Sequence, residues 1–387
     1  MPRALFVLGF RPFYLLGSVF AVVAVLFWLL NFAGVMHTDG YLRGIFWHSH
    51  EMVFGFALAV MAGFLLTAVR NWTGLPTPTG VSLAALAALW IAGRVLIVSG
   101  PPLLAAVVDI VFVPALTIAI AVPIFRSRNG RNYKIVGLLV LVCLTNIVYH
   151  LASLGPLPAW LAYTTVITAM DLITIVYAIV AGRVIPAFTR NAIPGSEPRL
   201  VGWLEFLAFA SLISMIVLRL VSDWVAVPAL AATTLMIVAA VSHAFRLSLW
   251  RPQTTAGNTL LWMLPVAYSW LPIALFLRGL AQYSIVGEAV WIHALTMGAI
   301  SSLMLAMMMR SSLGHTGRSL VASGVDMSAY LIVQLAAIIR VTAGAFPDAY
   351  YRTAVSVSGV LWVLAFVVFI IRYGPMLFTS RIDEKLG

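Results

Sequence analysis

Charge is scarce in this chain. Asp, Glu, Lys and Arg make up 9% of its 387 residues, hydrophobic residues make up 63%, and mean hydropathy is +1.05. A soluble domain carries about a quarter charged residues, so this composition excludes a water-soluble enzyme. Cysteine is nearly absent too. Cys143 stands alone in an apolar run, which excludes a disulfide framework and a thiolate metal site and leaves the reading of a small buried hydrophobe. Also missing are a Walker loop, a dinucleotide-binding glycine fingerprint, a nucleophile elbow and the Cys-x-x-Cys-His of covalent haem. Any haem held here is non-covalent.

What remains is long apolar segments. Twelve stretches of roughly 20 residues can each cross a bilayer, near 12–34, 49–69, 80–99, 103–125, 134–153, 159–182, 200–220, 224–245, 259–280, 287–309, 325–346 and 353–373. The expected fold is therefore all-α, a polytopic membrane bundle of about 12 helices filling residues 1–387 as a single transmembrane domain. Connections such as Thr73-Gly74-Leu75-Pro76-Thr77-Pro78 and Ser99-Gly100-Pro101-Pro102 are too short to fold separately. The Met-Pro-Arg start lacks a small-residue cleavage site, so the first helix is read as retained.

The basic residues set the orientation. With the N-terminus inside, Arg43, Arg94, Arg219, Arg278, Arg340 and Arg352 fall on the outer side, and the other 17 of the 23 Lys and Arg, down to Lys385, fall inside. Both termini are expected in the cytoplasm. The net charge of +11 then reflects topology, with membrane lipid rather than nucleic acid as the partner.

Histidine is the polar residue that stands out. His48 and His50 open the second segment, His150 lies near the end of the fifth, and His293 lies early in the tenth, all towards the outer face. His243 and His315 fall at the inner side, and His37 is read as a solvated loop residue. Ionisable groups are costly in hydrocarbon and are kept there when something binds them. On a continuous helix His48 and His50 point about 200° apart, so both reach one metal only if the helix begins between them. Otherwise His50 faces the interior while His48 and Glu51, three apart, share a face that serves a second metal or a proton route. His293 shares a face with Met297. His243 and His315 can form a bis-imidazole haem site or remain interfacial residues beside Arg246 and Arg318. The alternative for each histidine is a backbone-bonded residue without a ligand.

Buried acids form a second group. Asp171 sits about 18 Å into the sixth segment at 1.5 Å per residue, on a stripe with Thr164, Thr168 and Thr174. Glu51, Glu288 and Asp109 lie towards the outer half. Glu51, Glu288 and Asp171 are candidate proton donors for chemistry that consumes protons. The structural alternative pairs Asp171 and Asp109 with Arg94, Arg219, Arg278 or Arg340 as ion-pair glue. Arg94 and Arg340 are also candidates for haem propionate contacts, since guanidinium binds carboxylate bidentately.

Several motifs together resemble the NnrS family: Leu8-Gly9-Phe10-Arg11-Pro12-Phe13, Trp47-His48-Ser49-His50-Glu51-Met52, Gly63-Phe64-Leu65-Leu66-Thr67, Asn71-Trp72-Thr73-Gly74, Gly182-Arg183-Val184-Ile185-Pro186-Ala187-Phe188-Thr189 and Arg310-Ser311-Ser312-Leu313-Gly314-His315-Thr316-Gly317-Arg318. The resemblance implies a twelve-helix bacterial inner-membrane protein carrying haem, non-covalent and b-type, one or two in number, with copper as a second candidate metal. It also implies a link to denitrification and to defence against nitric oxide. His48, His50, His293 and His315 lie inside the motifs; His150 and His243 enter on topology alone. Two function classes follow. The first is a haem oxidoreductase or scavenger that converts 2 NO to N2O, with His48, His50, His150 and His293 as metal ligands and an unidentified electron donor. The second is a twelve-helix transporter or metal- and haem-handling protein, with Pro114, Pro265 and Pro272 as hinges.

Overall fold

The computed structural model describes residues 2–36, 40–345 and 348–383. His37 and Lys385 lie outside them. Among the described residues, twelve helices are long and apolar enough to span a membrane: α1 (Phe10–Phe32), α2 (Gly44–Thr73), α3 (Gly80–Ser99), α4 (Pro102–Arg126), α5 (Gly130–Leu154), α6 (Trp160–Ala192), α7 (Gly202–Ser222), α8 (Ala229–Leu249), α9 (Thr259–Ala281), α10 (Glu288–His315), α11 (Gly324–Ala345) and α12 (Tyr350–Phe378). No strand occurs among the described residues. The protein is a multi-pass membrane protein.

Apolar runs measure the hydrocarbon thickness, not the hydrogen-bonded length of a helix. Several helices therefore exceed their apolar segments. The second begins at Gly44, so His48 and His50 lie inside a continuous helix, and the sixth runs on through Pro186 to Ala192. α2, α6 and α10 are buried along most of their length, whereas α7 leaves most of its residues on the surface. The three buried helices carry His50, Asp171 and His293. Cys143, on α5, is half-buried and unpaired.

Two of these helices change register at the same kind of place. Directly after His50, α2 widens into a π turn over Glu51–Ala57, and directly after His293, α10 does so over Ala294–Ser301. Widened turns are rare, occur often at functional sites, and free carbonyls that need other donors. Trp90 Nε1 donates to the Gly55 carbonyl at 3.1 Å in the first. In the second, Ser301 and Ser302 donate to the carbonyls five residues back, Thr296 at 2.7 Å and Met297 at 3.1 Å.

The chain divides into two compact units. Unit 1 holds residues 1–173, 311–319 and 366–387. Unit 2 holds residues 174–310 and 320–365. In unit 1, α1 packs on α2, α2 on α4, and α3, α4 and α5 pack in series. In unit 2, α7, α8 and α9 pack in series and α9 packs on the widened turn of α10.

Candidate metal centre

Unit 1 gathers the polar side chains of four helices into one buried cluster. His50 comes from α2 six residues after its start, Arg94 from α3, Asp109 from α4 seven residues in, and Asn146 and His150 from α5. Asp109 therefore lies about 10 Å along its helix. His50, Glu51, Asp109, Asn146 and His150 are at most 2% exposed, and Arg94 is 6% exposed. Gly55 makes room for the arginine. A Cβ at that position would stand 2.9 Å from Arg94 Nη1 and 2.7 Å from the Phe20 ring, so the widened turn needs a residue without a side chain there.

The hydrogen bonds fix where the protons sit. Arg94 Nη1 donates to Glu51 Oε1 at 2.7 Å, and Arg94 Nη2 pairs with Asp109 Oδ1. His50 Nδ1 lies 2.8 Å from Glu51 Oε1. A carboxylate held by a guanidinium only accepts, so Nδ1 carries a proton, and in the neutral imidazole Nε2 is bare. That bare nitrogen faces Asn146 Oδ1 at 3.1 Å and Asp109 Oδ2 at 3.4 Å. Asn146 Nδ2 already donates to Asp109 Oδ2 at 2.9 Å, which fixes the amide with its oxygen towards His50. In that neutral form the imidazole nitrogen faces two oxygens with no proton between it and either of them. His150 Nε2 reaches the same Asp109 Oδ2 at 2.9 Å, and its Nδ1 meets the Tyr41 hydroxyl at 2.7 Å.

Charge counting leads to the same place. Glu51 and Asp109 bring two negative charges and Arg94 one positive, so with neutral imidazoles the cluster is one positive charge short, a charge that a protonated His50 or a bound cation supplies. A buried uncompensated charge is strongly destabilising. His50, Asp109 and His150 offer one ligand atom each within 4.8 Å of one another. Two ligands at 2.0–2.2 Å from one ion stand at most about 4.4 Å apart, so these atoms fit around a single cation after a small adjustment. The Glu51–His50 pair repeats the carboxylate–histidine arrangement that orients metal-bound imidazoles. A porphyrin does not fit between the two rings, whose centroids are 4.9 Å apart in an edge arrangement with Asp109 bonded between them.

Tyr41, just before α2, supports His150 from outside the cluster. Burial raises its phenol well above the ordinary value, and the Glu51 carboxylate adds in the same direction. It therefore stays a neutral hydroxyl, free to rotate from donating to accepting. With a cation held at His150 Nε2, the imidazole proton would sit on Nδ1 and Tyr41 would accept it. Tyr41→Phe is expected to weaken metal binding about 10–100-fold, the usual loss when an outer partner of a ligating histidine is removed. Competition with a chelator of known affinity measures it.

The other expected site residues are placed as follows. His48 stacks on Trp28 with ring centroids 4.4 Å apart, and Glu51 turns to His50 and Arg94. The continuous helix thus separates His48 from His50 instead of bringing both to one metal. Arg94 forms the ion pair with Asp109 that the sequence left open as structural. Asp171 is 7% exposed in mid-α6; along its stripe, Thr168 turns its hydroxyl back to the Thr164 carbonyl at 2.8 Å. In unit 2, His293 Nδ1 lies 2.7 Å from the Ala289 carbonyl, so Nδ1 carries a proton and Nε2 is the unprotonated nitrogen of the neutral ring. In the same unit, His243 Nδ1 meets the Tyr268 hydroxyl at 2.7 Å, and Arg246 Nη1 donates to that same oxygen at 2.7 Å. A phenol oxygen can donate to Nδ1 or accept from it beside the arginine, and the buried His243 Nε2 has no hydrogen-bond partner among the described residues. Glu288 is exposed at the first residue of α10, and Arg340 is half-buried with its guanidinium 6.0 Å from the Tyr351 ring. His315, in unit 1, packs 5.4 Å from the Phe10 ring. His243 and His315 belong to different units.

Asn146 and Tyr41 are absent from the sequence-based candidates. Asn146 had a usable signal: it precedes His150 by four residues, one helical turn, in an otherwise apolar helix.

A family model for the NnrS protein matches residues 4–381. The chain belongs to the NnrS family. No curated protein matches it.

Proposed function

We propose that this NnrS protein binds a redox-active metal ion at His50, His150 and Asp109 inside the bacterial inner membrane and acts on nitric oxide. The observation behind the metal is the bare His50 Nε2 facing Asp109 Oδ2 and Asn146 Oδ1 with no proton to separate them. Two imidazoles and one carboxylate suit iron or copper. Nitric oxide comes from the NnrS resemblance, and a membrane site suits it, because a small, neutral, lipid-soluble molecule needs no polar channel.

The reaction proposed is reduction, 2 NO + 2 H+ + 2 e− giving N2O + H2O, with the electrons supplied by a separate donor. Haem, when bound, supplies one-electron chemistry, and His293 is the imidazole whose tautomer is already set for iron. His50 and His150 orient the ion; Glu51 holds the His50 proton at Nδ1. Glu51 Oε2 has no hydrogen-bond partner among the described residues and is the proton-accepting position of the network. Asp171 and Glu288 remain proposed contributors to proton supply from α6 and α10.

The test is metal analysis and an optical spectrum, oxidised, reduced and with NO, on purified wild type, His50→Ala, His150→Ala and His293→Ala. The first two variants are expected to lose one metal ion per chain and keep any Soret band, while the third loses that band. A wild-type protein that is colourless and metal-free after gentle purification would overturn the proposal and favour the transporter reading.

A further inference from the structure

The opposite pole of unit 1 carries a different imbalance. Arg11 at the start of α1, Arg318 just after α10 and Arg381 just after α12 meet there, and the charges of Arg318 and Arg381 act on Arg11. Arg11 is 2% exposed. Its Nη1 ties down the end of α12 through the carbonyls of Leu377 at 3.1 Å and Thr379 at 2.5 Å, while its buried Nε has no partner. Arg381 chelates Asp383 at 2.6 and 2.7 Å and donates from Nη1 to the His315 carbonyl at 3.3 Å. Arg318 has a buried Nη1 with no partner. Among the described residues, three guanidinium charges therefore face one carboxylate, which leaves two positive charges and two unfilled donors at the end of three helices.

Like charges this close repel, and an orphaned guanidinium N–H carries the full desolvation cost of an unmade bond. No side chain among the described residues fills either donor. A bound anion would offset both costs. Guanidinium matches phosphate bidentately, and this cluster sits at the helix ends, the depth at which phospholipid headgroups lie. We infer that Arg11, Arg318 and Arg381 form a binding site for a phosphate group of one to two negative charges. This site is separate from the metal cluster and does not depend on the function proposed for it.

The full-length protein in detergent micelles provides the test. Native mass spectrometry compares retention of phosphatidylglycerol with that of phosphatidylcholine of equal chain length, and thermal unfolding compares inorganic phosphate with chloride at matched ionic strength. Arg318→Gln is the informative variant, because its side chain ties no backbone; Arg318→Lys keeps the charge without the fork. If a lipid headgroup occupies the site, wild type holds phosphatidylglycerol about fivefold better than Arg318→Gln does, with the lysine variant between. If free phosphate occupies it, phosphate raises the unfolding temperature of wild type and not of Arg318→Gln. Equal response of wild type and Arg318→Gln to both probes overturns the inference.

Discussion

Replacing Arg94 with methionine is expected to destabilise the metal-free protein by about 3–5 kcal/mol, and a divalent cation is expected to restore much of that loss. Among the described residues, Arg94 is the one guanidinium paired with these carboxylates. Its two terminal nitrogens hold Glu51 Oε1 and Asp109 Oδ1, both on residues no more than 2% exposed. Methionine keeps most of the apolar stem packed beneath Trp90 but removes the charge. Two carboxylates then remain near two histidines in a low-dielectric interior. A total stability of roughly 5–15 kcal/mol leaves little margin for that. If His50, Asp109 and His150 form a metal centre, a divalent ion replaces the missing charge. Saturation at a hundred times the dissociation constant returns about 2.7 kcal/mol. Thermal unfolding of wild type and Arg94→Met, each with a chelator and with added divalent metal, measures the difference. A purely structural ion-pair network predicts a variant that metal does not rescue, and that result would sink the metal reading.

How much of this was legible before the fold is clear from particular residues. The twelve spans were, because a run of about 20 apolar residues has few other physical solutions. His50, His150, Asp109 and Arg94 each stood out as ionisable groups in hydrocarbon. Their meeting did not, because it depends on which helices pack together, and no periodicity within one helix encodes that. The register of α2 was the second gap. Separating His48 from His50 required knowing that the helix starts at Gly44, six residues before the cluster, where the sequence is apolar but no longer part of the hydrocarbon-length run. The widened turns after His50 and His293 were illegible for a related reason. They are a change in hydrogen-bond pattern sustained by partners such as Trp90 on a neighbouring helix. Asn146 escaped because a search for charge passes over an amide, although its amide orientation is what leaves the His50 nitrogen facing acceptors.

Gly182→Ala is the second large effect, on the order of 3 kcal/mol, and it falls in unit 2. Gly182 opens the motif Gly182-Arg183-Val184-Ile185-Pro186, and its reason is a close approach. A Cβ there would lie 2.0 Å from Arg246 Nη2 and 2.9 Å from Cζ. A flexible arginine on the surface would swing away at little cost. Arg246 cannot, because it is 2% exposed and held on every side. Nε and Nη2 chelate Glu205 at 2.6 and 2.7 Å, and Nη1 reaches the Ala178 carbonyl at 3.0 Å and the Tyr268 hydroxyl at 2.7 Å. The guanidinium also lies over Trp250 at 4.8 Å and Phe209 at 5.0 Å. One added methyl group must therefore break bonds to a buried cation or push α6 away from it. The steric cause predicts strong coupling. In an Arg246→Met background the same glycine substitution should cost well under 1 kcal/mol, because the atom it strikes is gone. Thermal unfolding of the four proteins in that cycle gives the answer. An equal cost in both backgrounds would mean that Gly182 acts through backbone freedom in α6, not through room for Arg246.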